Sequence, residues 1–394
     1  MKIKKHGKKW RLDYIADGIR HRVKFKTKEE ADAEMTRVKS ALQDNTYVDP
    51  SRVPTFEQLA RDWFADRLAT SRTPGHGYRP SSLAHWQSHI DKHLVPVVGN
   101  HKVNKIVAAT MRDATEVWAR PTAEGGHGLS PKTIAKLLTT ASRIFRFGIA
   151  ARFMSHNPVE VLETNKEQSG EQTEVGERLK DDGEVTDRDV LTPEESKRLI
   201  LAAEPGLYRT IITTALYSGA RHSELLALRW ADVDLDAKVI HIRRTLSTAK
   251  VKGDSNEERF RWFDPKTKKG KRDIPMGVFL VNGLKDWREK CPKSRLDLVF
   301  STEAGEPCHR SNILRYGLYP ALERAKIEKN IDMHALRHTY ASMLIMLGRE
   351  IPKVSAYLGH ADVGVTMRVY CHFINLRENK VDEMDDLESL VQNA

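Results

Sequence analysis

Long apolar runs are missing from this 394-residue chain. No stretch approaches the roughly 18 apolar residues that begin to span a bilayer, so no transmembrane helix is expected. The N-terminus is basic but lacks the apolar core of a signal peptide. Cysteine is scarce: Cys291, Cys308 and Cys371 are odd in number, far apart and never spaced C-x-x-C. That pattern argues against a disulfide framework and for a reducing, cytoplasmic compartment. No G-x-x-x-x-G-K-[S/T] loop is present to cradle a nucleotide. His334 and His338 are spaced H-x-x-x-H but lack the Glu of H-E-x-x-H, so no metal site and no cofactor is expected. No repeat at roughly 20 to 50 residues suggests a solenoid. Acid is in deficit, with a formal net charge of +11, and nucleic acid is the commonest acidic partner of such a chain.

The positive charge is concentrated. Residues 1–28 hold eleven Lys and Arg against Asp13 and Asp17, a net of +9. Trp10, Leu12 and Tyr14 alternate with polar residues. Asp17-Gly18 signals a hairpin, and Ile19, His21, Val23 and Phe25 then alternate with Arg20, Arg22, Lys24 and Lys26. Thr27 to Glu30 fits a capping box, opening a helix over about 28–43 with Ala31, Met35, Val38 and Leu42 on one stripe. Residues 1–50 therefore form a small β-sheet plus helix module. Lys9, Arg20, Arg22, Lys24 and Lys26 are its candidate DNA contacts, the last four sharing a face with no acid between them. A solvated edge strand is the plainer alternative.

Residues 51–165 read as an all-helical domain. A second capping box, Thr55-Phe-Glu-Gln58, precedes Phe56, Leu59, Ala60, Trp63, Phe64 and Leu68 at helical spacing. Further helices are expected over about 81–94 and 110–119. Ser130-Pro131, an N-cap with Pro at N1, opens one running to about 150. Lys132, Lys136, Arg143 and Arg146 line a second face of that helix, either solvated or set against DNA. The stretch 166–188 is polar and without apolar periodicity, and Lys166 to Asp189 carries a net of −5, which suits an acidic linker rather than a DNA contact.

The chemistry concentrates in residues 334–370. His334 and Arg337 are three apart and share a helix face. Leu358-Gly359-His360 reads as a helix end, and Tyr370 follows ten residues later. A phosphodiester suits this set. Arginine offers a permanently charged fork for phosphate oxygens, and histidine exchanges protons near neutral pH. Tyrosine is a nucleophile, but with a pKa of about 10 only roughly one in a thousand is ionised at neutral pH, so it needs cations or a base beside it.

Taken together, these boxes resemble the C-terminal signature of the tyrosine recombinase (phage integrase) family. The arginine box expected upstream is present as Thr214-Ala-Leu-Tyr-Ser-Gly219-Ala-Arg221-His-Ser-Glu224-Leu-Leu-Ala-Leu-Arg-Trp230, and the lysine turn as Pro265-Lys266-Thr267-Lys-Lys-Gly-Lys-Arg272-Asp-Ile-Pro275. The resemblance implies an α+β, mainly helical protein: an arm-type DNA-binding module at 1–50, a core-binding domain at 51–165, the linker, a mixed α/β catalytic domain at 189–380, and a C-terminal tail helix at 381–394. By the same resemblance Arg221 and Arg337 clamp the scissile phosphate, Tyr370 attacks it to form a 3′-phosphotyrosyl bond, and Lys266 protonates the leaving 5′ oxygen. His334 assists proton transfer, His360 hydrogen-bonds the phosphate, and Glu224 orients Arg221.

The implied substrate is double-stranded DNA attachment sites, held by a homotetramer on synapsed DNA. A host DNA-bending protein and an excisionase are the accessory partners, and the location is the bacterial cytoplasm, at the nucleoid. In the family the tail docks in trans; cis packing buries the same apolar stripe, and both stay open. The alternatives are a catalytically silent DNA-binding regulator and a type IB topoisomerase-like strand relaxase. No expected catalytic position is substituted, which disfavours the first, and the basic module and tail disfavour the second. A metal-dependent hydrolase is more distant.

Overall fold

The computed structural model describes residues 1–16, 18–44, 47–49, 52–71, 77–161, 185–251, 260–265 and 267–378. Lys266 and the tail at 381–394 lie outside them. The chain divides into two compact units, Met1–Leu179 and Lys180–Ala394.

The first unit opens with an antiparallel three-stranded sheet, Lys2–His6, Lys9–Ala16 and Ile19–Phe25, in sequence order. Its register places Trp10 opposite Phe25, Leu12 opposite Val23 and Tyr14 opposite His21, so the alternating apolar residues meet on one face. Helix Lys28–Gln43 covers that face. Thr27 and Glu30 cap it reciprocally, and Val38 packs with Leu12, Tyr14 and Ala16. The other face corrects one expectation. Asp13 stands opposite Arg22, accepts from Arg11 at 3.1 Å, and lies 3.6 Å from Arg20. The cationic face thus has an acid in its middle, because strand alternation brings Asp13 to the same side as Arg11 and Lys9.

Among the described residues of this unit four longer helices follow: Phe56–Ser71, Pro80–His89, Ala108–Ala119 and Pro131–Ala150. The second continues through a wide turn, Ile90–Leu94, into Val95–Val98, past the boundary expected near 94. The wide turn falls just before Pro96, which has no N–H to give and crowds the preceding turn. Phe56 packs against Phe145 and Trp63 against Trp86, with ring centroids 5.3 and 5.2 Å apart and the rings tilted by 57° in both pairs.

In the second unit, helices Pro193–Ala202, Leu207–Ser218, Val278–Lys290 and Met333–Met346 surround a core that includes Leu199, Ile211, Ile240, Ile274, Leu284, Phe300 and Leu336. Strands Val239–Ile242 and Arg272–Pro275 pair antiparallel. Their third strand is Val233–Asp234. Leu298 to Phe300 is a buried connector with one bridge, from Leu298 to Arg229. All three cysteines remain thiols.

The linker boundary moves. Val185 is buried, donates its N–H to Val369 O at 2.7 Å, and joins the apolar cluster that holds Tyr370. Residues 185–188 therefore belong with the catalytic unit. A single buried valine outweighs the polar composition around it.

Candidate active site

Two helix ends build the site. Helix Leu207–Ser218 stops at Gly219 (φ 58°) and helix Ile351–Leu358 at Gly359 (φ 66°), both in the left-handed conformation that glycine adopts without strain. A helix C-terminus leaves carbonyls unpaired and carries partial negative charge, so it gathers cations. Three arginines take three consecutive carbonyls of the second end. Arg272 Nε donates to Tyr357 O, Arg337 Nη2 to Leu358 O at 2.7 Å, and Arg221 Nη2 to Gly359 O at 3.4 Å. Arg337 Nη1 also donates to Gly219 O at 2.8 Å, which ties the two ends together.

Glu224 sits among these guanidinium groups. It accepts from both Nη atoms of Arg272 at 3.0 and 2.8 Å, from Arg221 Nη1 at 3.0 Å, and from the Arg221 backbone N–H at 2.8 Å. Burial alone would push its carboxyl up. The Arg272 hydrogen bonds and the charges of Arg272, Arg221 and Arg337 outweigh that and hold it down at about 2. Burial pushes Arg337 down to about 9, helped by repulsion from Arg221 and Arg272 and opposed by Glu224, so it stays charged at neutral pH. Within this cluster three guanidinium groups face one carboxylate. The excess positive charge suits an anion such as a phosphodiester. Arg221 is part-exposed while Arg337 is fully buried beneath the surface.

The histidines lie on neighbouring elements. Asp332 caps helix Met333–Met346 by accepting from the N–H groups of His334 and Ala335 at 2.7 and 2.9 Å, and it pairs with Arg310 at 2.7 Å. His334 is half-buried in the first turn. His360, just past Gly359, has Nδ1 2.8 Å from Thr366 Oγ1. Burial, then the charges of Arg337, Arg221 and Arg272, push His360 down to about 3, so it is neutral. In the tautomer whose Nδ1 accepts the Thr366 hydroxyl, Nε2–H is the ring's donor.

Tyr370 follows helix Val363–Val369 directly and is fully buried. Its hydroxyl meets His338 Nδ1 at 2.8 Å. The structure thus gathers Arg221, Glu224, His334, Arg337, His360 and Tyr370 in one unit, and adds Arg272 and His338. Sequence reasoning missed both additions. Arg272 was one of several cations in a basic turn, and no local pattern tells which of them is buried. His338 did carry a signal, since its i+4 spacing from His334 puts both on one helix face. Among the described residues no group of three or more His, Cys, Asp and Glu side chains is placed to hold a metal ion. No helix of the described residues is long and apolar enough to cross a membrane.

The candidate DNA contacts are placed unevenly. Lys9, Arg20, Arg22, Lys24, Lys26, Lys132, Lys136, Arg143 and Arg146 are all exposed. Arg146, however, pairs with Glu160 at 2.7 Å, and Arg143 lies over the Trp86 ring at 5.3 Å.

Residues 189–375 match the model of the phage integrase family. Over 386 residues the chain is 24% identical to a tyrosine recombinase XerC-like protein of Caldanaerobacter subterraneus subsp. tengcongensis, an alignment that covers 94% of this chain and 92% of that one. The fold is similar to that of the Tn1549 transposon integrase solved in complex with transposon right end DNA, with a TM-score of 0.61, 19% identity, and 85% of this chain and 99% of that one covered. It is also similar to that of lambda integrase in a tetramer bound to a Holliday junction, with a TM-score of 0.56, 16% identity, and 91% and 95% covered. The family match spans nearly all of the described catalytic unit, including both arginine boxes and Tyr370, and it places residues 189–375 in the tyrosine recombinase (phage integrase) family.

Proposed function

We propose that this chain is a site-specific DNA recombinase that cuts and rejoins strands at the attachment sites of a phage or other mobile element, for its integration and excision. The observation that carries this reading is the arginine cluster: Arg221, Arg272 and Arg337 on consecutive carbonyls of one helix end, around the single carboxylate of Glu224.

Arg221 and Arg337 bind the two non-bridging oxygens of the scissile phosphate. Two of Arg337's N–H groups already go to Gly219 and Leu358, so its fork is fixed before substrate arrives and little reorganisation is left for the reaction. Neutral His360 donates from Nε2 to a phosphate oxygen. Tyr370 Oη attacks phosphorus, its proton leaves through His334 or water, and the P–O5′ bond breaks as Lys266 protonates the departing oxygen. The 3′-phosphotyrosyl bond keeps the energy of the broken bond. A 5′-hydroxyl from a second strand then attacks it, returns the phenol, and reseals the duplex with no external energy source.

The basic N-terminal sheet contacts arm DNA, and the helical domain contacts the core site with Lys132 and Lys136. Four copies act on two synapsed duplexes, with a host DNA-bending protein and an excisionase as accessory factors, in the bacterial cytoplasm. The test is covalent trapping in EDTA on nicked suicide duplexes that span the ends of the element carrying the gene. A protein–DNA adduct on denaturing gels that disappears in Tyr370→Phe supports the reading. No adduct on DNA that the protein binds would make it a catalytically silent regulator.

A further inference from the structure

Strand cleavage requires the Tyr370 hydroxyl to reach a phosphodiester, yet the residue is fully buried. It sits in an apolar cluster with Val185, Val190, Tyr340, Leu358 and Val369. Its hydroxyl lies 2.8 Å from His338 Nδ1. His338 is one turn beyond His334 on helix Met333–Met346, and the two rings meet edge to face with centroids 4.5 Å apart. Burial, then the charges of His334 and Arg337, push His338 down to about 4, so its ring is neutral. A neutral imidazole has one acceptor nitrogen, and a buried phenol O–H requires an acceptor.

We propose that His338 is a positioning residue for the nucleophile: its Nδ1 accepts the Tyr370 O–H and holds the hydroxyl inside the core until DNA draws the tyrosine out. The proposal rests on the reading of Tyr370 as nucleophile. In this arrangement the ring proton is on Nε2. The flanks of Tyr370 are held as well: Val185 N–H donates to Val369 O at 2.7 Å, and His372 Nε2 lies 3.4 Å from Asp187 Oδ2. His338 therefore contributes to the threshold that substrate must cross, and the free protein keeps its nucleophile away from other phosphodiesters and electrophiles.

The test begins with the full chain free of DNA. Nitration by tetranitromethane, located by peptide mass spectrometry, reads how often each tyrosine becomes accessible. His338→Leu removes the acceptor, and His338→Asn keeps one near the Nδ1 position. Nitration at Tyr370 is expected to rise about fivefold in His338→Leu, the factor that one lost buried hydrogen bond carries. Tyr340 in the same cluster should be unchanged, and His338→Asn should behave as wild type. His338→Gln, which moves the amide one bond outward, is the second variant should the leucine form not fold, and it is expected to raise Tyr370 nitration likewise.

No change at Tyr370, or an equal rise at Tyr340, overturns the proposal. On a suicide duplex the leucine variant should form adduct at least as fast as wild type. Loss of adduct with unchanged nitration would make His338 a proton acceptor in the reaction and would also overturn it. Absence of adduct from every form, wild type included, with the expected nitration pattern intact would refute the nucleophile reading alone.

Discussion

Glu224 and Arg272, 48 residues apart in sequence, form a two-pronged buried pair at 3.0 and 2.8 Å. The pair joins the first arginine box to the strand that follows the lysine turn. It also leaves Glu224 a free edge to orient Arg221. Removing one partner of a buried pair strands the other charge, which costs about 3–5 kcal/mol. Glu224→Gln is therefore expected to lose about that much stability in urea denaturation at neutral pH.

The same pair sets a pH dependence. The carboxyl of Glu224 is held at about 2 in the folded protein against 4.5 when free. A group with a lowered folded pKa contributes stability that is complete above its unfolded pKa and is lost as pH falls through the interval to the folded one. Wild type should therefore exceed Glu224→Gln in stability at pH 6 to 7. The gap should shrink steadily from about pH 4.5 toward pH 2, by roughly 3 kcal/mol in total. Denaturation curves of both proteins across that range check the sign.

Gly219→Ala is expected to be severe. The residue has φ 58°, and an added Cβ would lie 2.3 Å from Cδ1 of Tyr340. Its carbonyl also anchors Arg337. A clash with a buried ring and a strained backbone together cost about 2–4 kcal/mol. Adduct formation measured below the melting temperature should fall as well, since moving Gly219 moves the Arg337 fork.

Arg221→Lys keeps the charge and loses the planar fork. Its bonds to Glu224 and Gly359 are both made by guanidinium nitrogens, and an ammonium cannot reproduce that geometry. Single-turnover cleavage of a suicide duplex should drop about 10²–10³-fold, while gel-shift affinity for the same duplex changes by less than about threefold, because non-specific affinity is carried by many phosphate contacts.

Two exposed arginines separate DNA contact from surface pairing. Arg22→Ala on the cationic sheet face is expected to lower the slope of log affinity against log salt by about one. Arg146→Ala should leave that slope nearly unchanged, because Glu160 already pairs with Arg146 at 2.7 Å. Binding titrations on arm-type and core-type DNA over a range of salt would check both.

Local spacing was enough to read the capping boxes at Thr27 and Thr55, the helices they open, the alternation of the N-terminal strands, and the order of Arg221, His334, Arg337, His360 and Tyr370. Those features depend on neighbours within a few residues, and residue type alone carries them. Tertiary structure decided the rest. It selected Arg272 from a run of cations by burying it on Glu224, set Asp13 within the basic face, recruited Val185 from the polar linker, and placed the Tyr370 hydroxyl on His338. Each of these is a contact between residues distant in sequence or across a fold, where burial and the charge of a partner decide the outcome, and no local pattern encodes the partner.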